Sequence, residues 1–139
     1  MADSFLLDSS AIIAFLQAEP GAPRVLDLLE KAARGETMLY ACFASLTEVQ
    51  YITASDYGVE AGRKAIADLK RLRIIWIHSD EALCAAAAEW KTGHKISFAD
   101  AFVAASAMHV NAILVHKDPE FALLPSHVKQ ELLPLKPTG

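Results

Sequence analysis

The sequence has little cysteine, no long hydrophobic run and no excess of positive charge. Its 139 residues include two cysteines, Cys42 and Cys84, which have neither a CxxC partner nor a metal-like spacing to histidine. Both lie within apolar segments, so we interpret them as free thiols in the core of a cytoplasmic protein. A disulfide framework and a structural zinc site are correspondingly disfavoured.

Membrane and secretion signals are also lacking. No apolar run approaches the ~18 residues that a membrane span needs, and the N-terminal stretch MADSFLLDSS has an acid at position 3 and no basic segment. This pattern argues against a secretory signal. The net charge of −4 argues against a protein that coats nucleic acid without specificity. Binding of RNA or DNA would therefore depend on local basic patches and a bound cation.

Short apolar runs alternate with longer helical patterns along the whole chain. Hydrophobic residues make up 53% of it, and the length predicts a single domain, residues 1–139. Strands are predicted at 5–9, 37–43, 73–78, 112–116 and 128–135. Helices are predicted at 11–19, 23–35, 45–55, 59–72, 79–93 and 97–107. This alternation indicates an α/β fold whose mostly parallel sheet is covered on both faces.

Four acidic residues are predicted at the edge of this sheet where ligands bind, outside the carboxyl ends of the strands. Asp8 ends the first strand and Asp118 follows the fourth. Glu48 is placed in the first turn of the helix after the second strand. Asp100 is in the first turn of the helix that precedes the fourth strand. That helix must run antiparallel to the strand and therefore begins near its carboxyl end.

Each of these acids also has an ordinary structural interpretation as a helix cap. Asp8 and Asp118 fit N-caps, and Ser45-x-x-Glu48 and Ser97-x-x-Asp100 fit capping boxes. Four carboxylates at one edge nevertheless favour a bound cation, because like charges in close proximity repel and raise one another's pKa. Oxygen ligands suit Mg2+ or Mn2+, and such a site supports phosphodiester hydrolysis.

Four segments, in this order and spacing, resemble the PIN-domain family, specifically the VapC-type toxins of toxin–antitoxin pairs: FLLDSSAIIAFL, SLTEVQY, ISFADAFVAASA and ILVHKDPEF. The resemblance covers essentially the whole chain. It implies a three-layer α/β/α sandwich that forms a homodimer, binds Mg2+ or Mn2+ and cleaves RNA. It also implies a cognate antitoxin whose tail covers the acidic groove. The family's acidic quartet, which is both metal-binding and catalytic, falls on Asp8, Glu48, Asp100 and Asp118.

Within this quartet we expect Asp8 and Asp100 to be the primary metal ligands, and the other two acids to complete the shell or orient water. Ser9 and Ser97 are predicted to support them by hydrogen bonds. The family commonly has Thr or Ser two residues before the last acid, where this chain has His116. This histidine is expected either at the surface of a strand end or in the site, against phosphate, water or Mn2+.

Basic and aromatic residues complete the prediction. RNA contacts are predicted for Lys91, His94, Lys95 and Lys117. A second basic patch, formed by Lys70, Arg71 and Arg73, is interpreted as a solvated face. The two tryptophans, Trp76 and Trp90, are interpreted as core or dimer contacts.

Other functional classes fit less well. A receiver domain needs paired acids near the first strand, and an aspartyl-phosphate phosphatase needs DxD there, whereas this strand ends DSS. No GxSxG elbow or Walker loop is found. One alternative stays open, a catalytically inactive PIN-like module that binds a protein partner or RNA. The departure at His116 keeps this alternative in view.

Overall fold

A fully parallel five-stranded sheet forms the centre of the protein. The computed structural model describes residues 3–135. The predicted domain limits of 1–139 include residues 1, 2 and 136–139, which lie outside the described residues. The strand order is β3–β2–β1–β4–β5. The strands are β1 Ser4–Leu7, β2 Met38–Cys42, β3 Ile75–Ile77, β4 Ile113–His116 and β5 Gln130–Leu132.

Six α-helices and one 3-10 helix connect the strands. They are α1 Ser9–Leu16, α2 Ala22–Ala33, α3 Phe43–Tyr57, α4 Val59–Lys70, α5 Glu81–Gly93, α6 Phe98–His109 and the 3-10 helix Pro119–Leu123. The first four α-helices pack against one face of the sheet, and α5 and α6 cover the other. The predicted α/β/α sandwich is therefore confirmed. Among the described residues, no helix has the length and apolar character required to cross a membrane.

Alternating side chains of the strands supply both layers of the core. Leu6 and Leu114 face α5 and α6, whereas Leu7 and Val115 face α1 and α2, and all four are buried. Because both faces are covered, the strands have no polar face, and this explains why they appear in the sequence as continuous apolar runs.

Small residues bring α6 close to the sheet. Ala101, Ala104, Ala105 and Ala107 are almost completely buried within the core. Short side chains let the helix backbone approach the strands closely. The helix ends at His109, and Asn111, which has a positive φ, turns the chain into β4. The first turn of α6, which carries Asp100, is thereby held at the carboxyl end of β4.

A glycine allows α3 and α4 to pack closely, which fixes the helix that carries Glu48. A Cβ atom at Gly62 would lie 2.7 Å from the carbonyl oxygen of Gln50 and 3.1 Å from the Cβ of Ala54. The first of these separations is too short for any side chain to be accommodated without a shift of the α3 backbone.

Two sequence predictions, the helix position of Glu48 and the burial of Cys84, are wrong. Helix α3 begins at Phe43, and its N-cap, Cys42, makes no side-chain cap hydrogen bond. Glu48 therefore lies in the second turn and does not form a capping box with Ser45. Cys84 was expected in the core with Cys42, but it lies on the exposed surface of α5 and only Cys42 is buried.

The strand order creates a crevice beside β1. The chain steps from β1 outward to β2 and β3, and then places β4 on the opposite side of β1. At such a reversal the connections leave the carboxyl ends of the two neighbouring strands in opposite directions, which opens a ligand-binding crevice between them. The residues that follow β1 and β4 line this crevice.

Candidate metal centre

The structure brings all four predicted acids together around one cavity of about 350 Å3 at the carboxyl edge of the sheet. The cavity is lined by Asp8, Ser9, Ser10, Ile13, Glu19, Glu48, Ile52, Asp100, Lys117 and Asp118. The acids come from four separate segments: the β1–α1 junction, α3, α6 and the residues after β4. The catalytic and metal-binding roles assigned to them stay predictions, but the proximity on which those roles depend is present.

On one side of the cavity, hydroxyl and backbone groups hold the carboxylates. Asp8 caps α1, and its Oδ1 accepts hydrogen bonds from the Ala11 N–H at 2.9 Å and the Ser10 hydroxyl at 2.7 Å. The Ser9 hydroxyl donates to Glu48 Oε1 at 2.6 Å and lies 2.9 Å from the hydroxyl of Ser45. We call this the hydroxyl-bonded side, comprising Asp8, Glu48, Ser9, Ser10 and Ser45.

On the opposite side, carboxyl groups contact one another. One oxygen from each of Asp100, Asp118 and Glu120 lies within 4.8 Å of the others. The Ser97 hydroxyl caps α6 by accepting from the Asp100 N–H at 3.1 Å. Asp118 caps the 3-10 helix by accepting from the Glu120 N–H at 2.9 Å. We call these three acids the carboxyl-paired side.

Burial and mutual repulsion change the proton affinity of these acids. Asp8 is 3% exposed, and burial, reinforced by the charges of Asp118 and Glu48, raises its pKa to about 7. Asp100 is 9% exposed, and burial together with the neighbouring Glu120 and Asp118 raises its pKa to about 9. Without a cation, Asp100 is therefore protonated near neutral pH and donates a hydrogen bond to the carboxylate of Glu120.

Glu120 is the charged partner in this pair. The hydrogen bond from Asp100 lowers its pKa, and the Ser97 N–H and the positive charge of Lys91 act in the same direction. A hard divalent cation fits this donor set, because it would replace the proton of Asp100 and neutralise the remaining carboxylates. Within residues 3–135 no cysteine or histidine lines the cavity, so its possible donors are oxygen atoms, which suit hard divalent cations.

His116 does not lie at the surface, which was one of the two alternatives that the sequence left open for it. It is 2% exposed, and its Nδ1 accepts from the Asp118 N–H at 3.1 Å. Its Nε2 lies 2.9 Å from Gln130 Oε1, and Gln130 in turn donates through Nε2 to the Phe121 carbonyl. Burial lowers the pKa of His116, which favours the neutral ring. Because Nδ1 accepts a hydrogen bond, the proton of the neutral ring is on Nε2.

Both ring nitrogens of His116 are therefore occupied by protein partners. This arrangement leaves neither of them to contact phosphate or to ligate Mn2+, which were the alternatives that the sequence suggested. Instead, the imidazole accepts from the backbone of Asp118 and thereby fixes the start of the turn that carries both Asp118 and Glu120.

Lys117 lies in the cavity wall with internal partners. Its side chain is 9% exposed, and Nζ donates to the Pro20 carbonyl at 2.8 Å and lies 3.7 Å from Glu19 Oε1. Its backbone N–H donates to the Ser10 hydroxyl at 2.9 Å. The predicted contact of Lys117 with RNA is untested, and the ammonium group is already engaged.

The other predicted RNA contacts lie at the end of α5 and in the segment before α6. Lys91 and Lys95 are exposed. His94 is partly buried, with Nδ1 3.1 Å from the Trp90 carbonyl and its ring 4.9 Å from the Trp90 ring. The two lysines are the accessible cations of this group, and their role stays a prediction.

Sequence reasoning missed Glu120 and Ser10. The signal for Glu120 was the stretch Asp118-Pro119-Glu120, in which proline opens a tight 3-10 turn that places both acids on the same side. Ser10 was passed over because only its neighbour Ser9 was considered. Its hydroxyl links the two strand ends, since it donates to Asp8 and accepts from the Lys117 N–H.

Comparison with known families identifies the fold. The family model described as PIN domain matches residues 5–126, and the chain belongs to the PIN-domain family. No sequence among curated proteins matches this chain.

Several solved structures of similar fold come from VapBC systems. VapBC2 from Rickettsia felis, bound to a fragment of its promoter DNA, matches with a TM-score of 0.73 and 20% identity, covering 94% of this chain and 98% of the other. VapC20 of Mycobacterium tuberculosis, a toxin that cleaves the sarcin–ricin loop, matches with a TM-score of 0.69 and 20% identity over 86% and 93%. VapBC-5 of the same organism, a member of the VapBC family of toxin–antitoxin systems, gives 0.61 and 14% over 95% and 98%. At these identities the likeness shows the fold.

Proposed function

We propose that this protein is a metal-dependent endoribonuclease that acts as the toxin of a toxin–antitoxin pair. The observation that carries the proposal is the convergence of Asp8, Glu48, Asp100 and Asp118 on one cavity in a PIN-domain fold. A buried set of carboxylates is costly without a cation. Such a cluster is retained where a divalent ion is used to hydrolyse phosphodiesters.

The residues of the cavity have distinct proposed roles. Asp8 and Asp100 would hold Mg2+ or Mn2+, and Asp118 and Glu120 would complete the negative charge around the ion. Glu48, fixed by the Ser9 hydroxyl, orients the attacking water and accepts its proton. When bound, the ion supplies Lewis-acid polarisation of the phosphate oxygens. The oxygen of the water adds to phosphorus as the bond to the 3′-oxygen breaks, leaving a 5′-phosphate and a 3′-hydroxyl.

RNA as the substrate and an antitoxin as the partner are proposed from the structural relatives. VapC20 is a toxin that cleaves the sarcin–ricin loop, and VapBC-5 belongs to a family of toxin–antitoxin systems. Exposed Lys91 and Lys95, on the same face of the sheet as α6, supply positive charge for an RNA backbone. We further propose that the chain works in the cytoplasm as a homodimer, as the resemblance to VapC-type toxins implies.

The test is a cleavage assay on a pool of folded and unstructured RNAs. Wild type, Asp100→Asn and the control Glu30→Gln, which removes an exposed acid of α2, are each incubated with Mg2+, Mn2+ or EDTA. We expect metal-dependent fragments with 5′-phosphates from wild type and Glu30→Gln, and none from Asp100→Asn. RNA binding by wild type without cleavage under any condition would contradict the proposal and favour the inactive binding module.

A further inference from the structure

The side chain of Phe98 is more exposed to solvent than the other large hydrophobic side chains of the described residues. It is 75% exposed and is the first residue of α6. Isolated exposed hydrophobic residues are ordinary on protein surfaces, so exposure alone assigns no role. The position of Phe98 is what distinguishes it, because it lies directly between Ser97 and the turn that carries Asp100.

Two residues close to Phe98 in the chain, Ser97 and Asp100, are tied to the candidate metal centre. The Ser97 N–H interacts with the Glu120 carboxylate, and the Ser97 hydroxyl caps the Asp100 N–H. Asp100 in turn belongs to the carboxyl-paired side of the cavity. Residues two positions apart on a helix do not face each other, and Phe98 lines the neighbouring groove whereas Asp100 lines the acidic cavity. A group that stacked on Phe98 would therefore lie in that groove, beside the turn that carries Asp100.

The ring of Phe98 has a firm aromatic support. Its centroid is 5.2 Å from that of Phe102 with an interplanar angle of 66°, and Phe102 is 5.1 Å from Phe43 at 79°. Phe102 is buried in the core. Edge-to-face contacts of this kind hold an aromatic ring in place, so Phe98 is presented to solvent in a restrained orientation.

A groove of about 490 Å3 between α5 and α6 runs beside this ring. Its lining is apolar apart from Lys91, Thr92 and the thiol of Cys84. Lys91 is exposed, and its positive charge acts on Glu120, so the cation lies between the groove and the acidic cavity. An aromatic platform with a cation at its rim is complementary to a nucleotide, which has a flat apolar base and a negative phosphate.

We propose that Phe98 is a base-stacking residue that holds an unpaired nucleobase next to the phosphate cleaved in the acidic cavity. The occupant of the groove is one nucleotide of the substrate RNA, with its base on Phe98 and its phosphate near Lys91. This inference rests on the proposed ribonuclease function and adds to it a residue that determines substrate affinity and the nucleotide preferred beside the cut.

The test compares the steady-state kinetics of four proteins on the RNA pool with Mn2+: wild type, Phe98→Ala, Phe98→Tyr and Tyr57→Ala. Tyr57 is a matched control because it is 66% exposed but does not line the cavity. It ends α3, a helix of 15 residues that begins at the carboxyl edge of the sheet, so it is about 20 Å away from that edge. Sequencing of the fragment ends gives the nucleotide preference at the cut. Light scattering after size-exclusion chromatography gives the oligomeric state.

We expect Phe98→Ala to raise KM roughly tenfold, the usual cost of losing one base–aromatic stack, with kcat changed less than about twofold. Its preference for the nucleotide beside the cut should weaken, whereas Phe98→Tyr and Tyr57→Ala should behave as wild type. A wild-type KM for Phe98→Ala would overturn the proposal. A change in its oligomeric state would also overturn it, and would assign Phe98 to a contact between copies of the chain. Absence of cleavage by wild type would instead refute the proposed function, and the stacking role with it.

Discussion

The carboxyl groups on the two sides of the acidic cavity are stabilised by different kinds of neighbours. On the hydroxyl-bonded side, Asp8 and Glu48 are each held by donors, the hydroxyls of Ser10 and Ser9 and the N–H of Ala11. On the carboxyl-paired side, Asp100, Asp118 and Glu120 have one another as close neighbours. On the hydroxyl-bonded side the donors partly offset the burial of Asp8, whose pKa is about 7, whereas on the carboxyl-paired side the pKa of Asp100 reaches about 9 and a proton or a cation is needed.

This difference indicates a division of labour within the site. Carboxylates that are fixed by donors keep their orientation whether or not an ion is bound, and they therefore suit the positioning of water. Carboxyls that share a proton change their charge when a cation arrives, since the ion displaces that proton. We infer that the carboxyl-paired side, together with Asp8, determines the affinity for the ion, and that Glu48, held by Ser9 on the hydroxyl-bonded side, determines the geometry of attack. The predictions below test this division.

The largest effect is expected on metal affinity. Asp118→Asn removes one charge from the carboxyl-paired side and should weaken Mn2+ binding roughly 100-fold, the upper end of the loss that removing a supporting group of a metal site causes. The measurement is Tm against MnCl2 concentration, because an ion that binds the folded state raises Tm by mass action. Glu30→Gln should follow the wild-type curve. If Asp118→Asn did so as well, the carboxyl-paired side would not be the ion-binding side.

The second effect is on stability in EDTA. The pKa of Asp100 is raised from its ordinary 3.8 to about 9 in the folded protein, so the folded state holds a proton that the unfolded chain releases. The stabilisation of the folded state by this proton is complete below pH 4 and is lost as pH rises toward 9. Asp8, with a pKa of about 7, adds to the loss up to neutral pH.

Asp100→Asn should therefore raise Tm at pH 8 and have little effect at pH 4. A gain of about 1–2 kcal/mol corresponds to roughly 4–8 °C for a chain of this size, whereas the proposed cleavage activity should be lost in the same variant. This is the trade-off expected where an active site is held in a destabilised state. Scanning calorimetry at both pH values, with Glu30→Gln as the control, makes the comparison. If the Tm difference between Asp100→Asn and wild type were the same at pH 4 and pH 8, protonation of Asp100 would be excluded as the cause of that difference.

Much of this arrangement could be predicted because strand ends are visible in the sequence. An apolar run followed by an acid, as in FLLD and LVHKD, places Asp8 and Asp118 at the carboxyl edge once parallel pairing is assumed. Asp100 follows from the antiparallel path of the helix before β4. The α/β/α sandwich follows from strands that are apolar on both faces.

The parts that could not be predicted depend on tertiary contacts. His116 is polar, and its burial depends in part on Gln130 of β5, which lies 14 residues further along the chain and accepts a hydrogen bond from Nε2. Glu120 joins the cluster because a 3-10 turn directs it back toward Ser97, and turns of this kind have weak sequence signals. Cys84 lies in an alanine-rich helix whose polar and apolar faces are poorly separated, so its exposure was not visible.

The third effect concerns the hydroxyl-bonded side. Ser9→Ala removes the donor that links Glu48 to Ser45 and should lower kcat about 10-fold, as loss of a supporting hydrogen bond commonly does. Its Mn2+ midpoint should stay near that of wild type. Kinetics and the Mn2+ titration of Tm, performed on the same preparation, separate the two quantities. A large shift in the Mn2+ midpoint with unchanged kcat would reverse the division of labour.

The smallest expected effect distinguishes Lys91 from Lys117, the lysines that lie beside the two sides of the cavity. Lys91 is exposed near the carboxyl-paired side, whereas the ammonium of Lys117 already binds the Pro20 carbonyl beside the hydroxyl-bonded side. A lysine that contacts one phosphate of single-stranded RNA contributes about 0.7 to the slope of log K against log salt. We expect Lys91→Ala to reduce this slope by about that amount.

Lys117→Ala should leave the slope unchanged, because its charge is engaged within the protein and releases no counterion when RNA binds. Lys70→Ala, in the second basic patch, serves as the control for an exposed lysine of α4. Fluorescence anisotropy of a labelled RNA at several KCl concentrations, in EDTA to prevent cleavage, gives the slopes. A reduced slope for Lys117→Ala and not for Lys91→Ala would move the path of the RNA from the α5–α6 groove to the α1 side of the cavity. It would also remove the electrostatic argument for a nucleotide beside Phe98.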